Sequence, residues 1–146
     1  LGRIGNETSV DILQPLLLHK DKRVRKEAFK SINQTGGSKR GEIFLSALPQ
    51  VDQQSRIDII EVLGRIKCTE AVSDLQDMIK TKTSMPKDEQ IVFHEKICSA
   101  LGSIGSPEAI KVLSEIAESK SILGIGSYPK EVKYAAQRAL ASIKRR

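Results

Sequence analysis

The chain has 146 residues, of which 39% are apolar and 29% charged, with a net charge of +6. That balance describes a folded domain and excludes a disordered tail; no apolar run approaches the roughly 18 residues needed to cross a bilayer. Aromatics are 3% with no Trp, too few for a base-stacking platform, and the two cysteines, Cys68 and Cys98, lie outside any Cys-x-x-Cys pair and read as reduced thiols of a cytoplasmic protein.

The chain opens on Leu1-Gly2-Arg3-Ile4-Gly5, a pattern of apolar, small, any, apolar and often Gly. Opening on this pattern reads as the tail of a preceding helix, so the chain is expected to be a piece of a longer array. Thr8 or Ser9 can cap the next helix, which is predicted to run through His19 with Val10, Leu13, Leu16 and Leu17 on one face. As the first helix of an incomplete stack, it is expected to leave part of Val10, Leu13 and Leu17 exposed. After a break at Lys20-Asp21-Lys22 a second helix runs from about Arg23 to Thr35, with Val24, Ala28, Phe29 and Ile32 inward, and ends on Ile32-Asn33-Gln34-Thr35-Gly36. A second pair follows: Ile43, Phe44, Ala47 and Leu48, a break over Pro49 to Asp52, then Ile59, Ile60, Leu63 and Ile66, ending on Leu63-Gly64-Arg65-Ile66-Lys67. The third pair places Val72, Leu75, Met78 and Ile79 before Phe93, Ile97, Cys98, Leu101 and Ile104, ending on Leu101-Gly102-Ser103-Ile104-Gly105. The fourth places Ile110, Leu113, Ile116 and Ala117 before Val132, Ala136, Ala139, Leu140 and Ile143, ending on Leu140-Ala141-Ser142-Ile143-Lys144.

Anchors at 1, 32, 63, 101 and 140 are 31, 31, 38 and 39 residues apart. Glycine inside a helix costs about 1 kcal/mol relative to Ala, so its recurrence at one register predicts close backbone approach between stacked helices. Gly36 and Gly105 suit left-handed helix caps. No segment alternates as a strand does. The implied fold is all-α: a right-handed α-α superhelix of about four helix pairs without a sheet. It forms one domain, 1–146, with units about 6–36, 37–67, 68–105 and 106–146. The third and fourth units carry longer connections, Thr81 to Gln90 and Ser119 to Pro129.

The second helices carry Val24-Arg25, Ala28 and Ile32, then Arg56, Ile59 and Leu63-Gly64-Arg65-Ile66, and finally Val132-Lys133, Ala135-Ala136, Leu140 and Ile143. These units resemble HEAT repeats, armadillo-like solenoids, of the short bilin-lyase-like subtype. The resemblance implies a ladder between repeats formed by Asp21 and Asp52, each four residues before Arg25 and Arg56. It implies no single activity, since one fold hosts unrelated functions.

His94-Glu95 is the sharpest chemical candidate. In di-iron deoxyhypusine hydroxylases, which these repeats resemble, His-Glu pairs begin the second helices. Here the equivalent positions are Arg25-Lys26, Arg56-Ile57 and Lys133-Tyr134, and one pair of four cannot supply a di-iron centre. His94 is therefore expected on the surface, in the arginine column, and neither metal, cofactor nor catalytic residue is expected. The basic run Lys20, Lys22, Arg23, Arg25, Lys26 and Lys30 keeps nucleic acid open as a partner, against Glu61 and Glu95 and the absence of Trp. The leading expectation is a non-catalytic protein–protein scaffold or adaptor segment of a larger protein; the alternatives are an enzyme-associated, bilin-lyase-like module or a nucleic-acid-binding one. The candidate binding stripe on the second helices is Lys26, Lys30, Ile57, Glu61, Arg65, Glu95, Tyr134 and Arg138, with Ile57 and Tyr134 as exposed apolar members. A second candidate is the edge at Ile125 and Tyr128, which either caps the core or meets a partner.

Overall fold

The computed structural model describes residues 12–81, 83–119 and 128–145. Among these there are seven α-helices and no strand. They are α1 (Lys22–Thr35), α2 (Arg40–Ala47), α3 (Gln53–Arg65), α4 (Ala71–Lys80), α5 (Lys87–Ile104), α6 (Pro107–Ala117) and α7 (Lys130–Lys144). The chain divides into two compact units, Leu1–Val62 and Leu63–Arg146.

In the first unit the segment expected to be α-helical through His19 finishes as a 3-10 turn, Gln14–Leu18, with Pro15 in its first positions. Proline donates no backbone hydrogen bond and crowds the preceding turn, which explains the tighter winding. Leu13 and Leu17 are buried at 5% and 1% exposure, against the expectation of an open edge; Ile12 and Leu18 carry the exposed apolar surface there. Val10 and the caps Thr8 and Ser9 lie outside the described residues. Helix α1 starts on Asp21, whose carboxylate accepts from the Arg23 N–H at 2.9 Å. It buries Ala28 and Ile32, and Phe29 meets Phe44 of α2 with ring centroids 5.1 Å apart. Phe44, Leu48, Ile59 and Ile60 complete this core.

The Asp/Arg ladder implied by the resemblance is present in this unit. Arg25 Nε lies 3.0 Å from Asp52 Oδ1, an ion pair from one helix pair to the next. Arg25 Nη1 also donates to the carbonyls of His19 and Lys20, at 2.9 and 3.0 Å. Arg56 repeats the motif, its guanidinium donating to the carbonyls of Leu48, Pro49 and Val51. One arginine per pair thus satisfies the carbonyls that the preceding helical segment leaves unpaired.

In the second unit α5 packs on α4, α6 and α7, and α6 packs on α7. The core is Val72, Leu75, Ile97, Leu101, Leu113, Ile116, Val132 and Ala136. Helix α5 begins at Lys87, inside the segment expected to be a long connection to Gln90. Pro86 precedes its first turn, and Asp88 and Glu89 face the positive end of the helix dipole. The recurrent glycines do what their register predicts. A Cβ on Gly64 would lie 2.9 Å from Ala100 Cα, and one on Gly102 would lie 2.8 Å from Ala139 Cβ. Helix ends follow the anchors too. Gly105 is left-handed at φ 63° and donates to the Leu101 carbonyl. Gly36 is right-handed at φ −66°, and it is Gly37 that turns left-handed at φ 54°. The helical winding persists one residue longer there because the Gly36 N–H still reaches the Ile32 carbonyl at 2.7 Å.

Candidate functional site

Within the second unit, α5 and α7 run close enough that their facing side chains are small: Ser99, Gly102 and Ser103 on α5, and Ala135, Ala139 and Ser142 on α7. The contact between Gly102 and Ala139 sets that spacing. What remains above it is an open groove of about 450 Å³, also lined by Val92, Glu95, Lys96 and Arg138. Five of its lining residues (Glu95, Ser99, Ser103, Arg138 and Ser142) occupy the outward register of the second helices. Val92 is 49% exposed at one end.

Arg138 is exposed, and its guanidinium carbon stands 5.8 Å from the centroid of the Tyr134 ring. Tyr134 is itself 61% exposed. The ring's negative face attracts the cation, so each side chain limits the other's freedom. Arg138 makes no ion pair among the described residues.

The groove therefore brings together Glu95 and Arg138 of the sequence candidates, with Tyr134 joined through Arg138. In the first unit Lys26 and Lys30 are exposed on α1, Glu61 is exposed on α3, and Ile57 is half-buried, not the exposed apolar residue expected. Lys26 is close enough to favour the charged form of Asp58. Burial is the larger effect on that carboxyl and, with the charges of Glu61 and Asp52, raises its pKa. Arg65, exposed at the end of α3, belongs to the second unit. Ile125 lies outside the described residues. Tyr128 is half-buried, with its ring edge-on to His94 at 6.4 Å and its N–H donating to Ser119 Oγ at 3.5 Å.

His94 departs from expectation. It is 4% exposed, set between the rings of Phe93 and Tyr128, and its Nε2 has no hydrogen-bond partner. Burial holds its pKa below the ordinary histidine value, so the ring is neutral. A buried imidazole tilted against one aromatic ring and edge-on to another is a core residue; the arginines at this register in the first unit are long enough to reach backbone carbonyls instead. Sequence reasoning missed this because the covering ring, Tyr128, comes from 34 residues further along the chain. Cys98 is also buried, and burial, with a contribution from the Glu95 charge, pushes its thiol up to about 12. Such a thiol is no nucleophile at neutral pH. Among the described residues no three His, Cys, Asp or Glu side chains converge as metal ligands would, and no helix is long and apolar enough to cross a membrane.

A second groove, of about 590 Å³, lies between α4 and α6. Glu70, Glu108 and Glu115 surround it with Lys111. It has no aromatic anchor.

A family model described as HEAT repeats matches residues 41–141. The chain belongs to the HEAT-repeat family. The match covers α2 to α7 apart from the ends of the first and last of these, and HEAT repeats commonly serve as protein-interaction scaffolds. No curated protein matches the sequence.

Proposed function

We propose that this HEAT-repeat chain is a non-catalytic docking segment, part of a larger cytoplasmic scaffold or adaptor of the short bilin-lyase-like subtype, and that the second helices carry its binding stripe. The observation that supports this reading best is the α5–α7 groove. It is open, floored by small side chains, and flanked by an exposed Tyr–Arg pair of the kind that dominates protein interfaces. A surface tyrosine at 61% exposure gains most of its apolar burial only when a partner covers it. Nucleophile, general base and metal-ligand groupings play no part in the reading. His94 and the buried Cys98 thiol are neutral core groups.

The test is affinity capture with the protein and with its Tyr134→Ala/Arg138→Ala double variant as baits. Both side chains are exposed, so the variant keeps the fold. A partner retained by the wild type and lost by the variant supports the reading. Equal recovery by both baits removes the groove from it.

A further inference from the structure

We propose that the α5–α7 groove docks a short acidic segment of a partner protein, with one carboxylate of that segment clamped by the Arg138 guanidinium on its Tyr134 platform. This rests on the docking reading above and adds the partner's chemistry. Arg138 is the right donor for three reasons. It lines the groove, it is exposed, and among the described residues it makes no ion pair that an incoming carboxylate would have to displace. Its ring contact at 5.8 Å narrows its rotamers before binding, so less freedom is lost when a bidentate fork closes on a carboxylate.

The surrounding charge has the matching sign. Helix α7 and its cap carry Lys130, Lys133, Arg138, Lys144 and Arg145 against the single acid Glu131. That field draws an acidic segment toward this helix and raises the rate of encounter. Glu95 on the opposite wall limits how many negative charges fit. It repels a ligand that is anionic throughout and so favours a peptide with its acid placed at Arg138. A nucleic-acid strand repeats its phosphates and meets Glu95, and the guanidinium already occupies one face of Tyr134, the only exposed aromatic ring among the described residues. The hydroxyls of Ser99 and Ser142 and the small floor admit an extended backbone.

The test uses labelled peptides of equal length, followed by fluorescence anisotropy at low and physiological salt. One contains Glu, Ser and Leu; its isostere has Gln in place of Glu, and a third has Lys. The acidic peptide is expected to bind roughly tenfold more tightly than its Gln isostere, and Arg138→Glu to lose roughly tenfold or more. Tyr134→Ala is expected to weaken binding several-fold. Lys80→Glu makes the same change in net charge at the exposed end of α4, outside the groove, and should stay within about twofold of wild type. Equal binding of the Gln isostere overturns the proposal. So does a Lys80→Glu loss as large as that of Arg138→Glu, which would mean diffuse attraction for any polyanion. Single-stranded DNA binding more tightly than the acidic peptide overturns it in favour of nucleic acid. If no acidic peptide binds while Tyr134→Ala/Arg138→Ala still loses its captured partner, the acidic chemistry falls and the docking reading stands.

Discussion

Lys67 offers the most direct measurement of how the repeat register stores strain. It sits where the third unit has Gly105, one residue after the final apolar anchor, and it adopts φ 56°, in the left-handed region. Two hydrogen bonds hold it there: the Lys67 N–H donates to the Gly64 carbonyl at 3.1 Å and the Cys68 N–H to the Leu63 carbonyl at 3.0 Å. This is the paired closure that satisfies the last carbonyls of a helix, and it normally uses glycine. A residue with a Cβ pays roughly 1–2 kcal/mol to stay left-handed. Lys67→Gly removes that strain but frees the unfolded chain, which returns about 0.4–1 kcal/mol. The net expectation is a gain of about 0.5–1 kcal/mol, or about 2–3 °C in melting temperature for a chain of this size. Lys67 is exposed, so its side chain gives up no packing. Lys67→Ala is the control, since it deletes the side chain and keeps the strain; it should match wild type. Urea unfolding followed by far-ultraviolet circular dichroism reads both variants. The reasoning fails if Lys67→Gly is no more stable than Lys67→Ala. The reciprocal change, Gly105→Ala at φ 63°, should cost about 1–2 kcal/mol in the same assay.

Gly102→Ala places a methyl 2.8 Å from the Ala139 Cβ, and a well-packed contact of this kind costs about 1–3 kcal/mol when overfilled. Adding Ala139→Gly should return part of that loss beyond additivity, and a double-mutant cycle in urea showing no coupling would refute the contact. His94 titrates below the ordinary histidine value when folded and near 6.5 when unfolded, so its contribution is intact above about pH 6.5 and lost as pH falls. Wild type should therefore lose urea resistance between pH 7 and 5.5, above the range where carboxylates titrate, and His94→Leu should lose less; equal slopes would show that the ring is not the titrating group. Arg25→Lys cannot reproduce the fork that joins the His19 and Lys20 carbonyls to Asp52, and should cost about 1–2 kcal/mol, read from the same urea curves. A midpoint unchanged by that substitution would mean the ladder is not stabilising.

The helix pairs were legible because two local signals agreed. Apolar residues recurred at helical spacing, and a small residue recurred at one register where Gly64 and Gly102 meet Ala100 and Ala139. The ladder came from the family resemblance, which implied pairing between repeats for Asp21, Asp52, Arg25 and Arg56, and the Arg25–Asp52 ion pair is its rung in the first unit. Features that depend on distant or competing contacts were not. His94 is buried by a ring from the far side of a connection, which no local pattern encodes. Adjacent glycines at 36 and 37 are equally permissive, so the sequence could not say which one reverses handedness. The first turn of α5 could have been read: Pro86 followed by Asp88 and Glu89 is a helix start, and length alone made the segment look like a loop. For the site, the outward register of Glu95, Ser99, Arg138 and Ser142 was readable, while the groove between them depends on how near two helices come.

The net charge of +6 is not spread evenly over available cations. Arg23 is held by Asp21, Arg25 by Asp52 and two carbonyls, Arg40 by the Asn33 carbonyl and side chain, and Arg56 by three carbonyls. Arg25, Arg40 and Arg56 have donors directed at the protein itself, and an anion must compete with bonds already formed to reach them, whereas the Arg23 pair lies on the surface. Within the basic run before and within α1 this applies to Arg25, while Lys20, Lys22, Lys26 and Lys30 are exposed. Arg138 differs because it is exposed and, among the described residues, its contact is a ring face and no ion pair. On the docking proposal, anion recognition falls to Arg138 because the repeat architecture leaves it beside a groove with no carboxylate partner among the described residues.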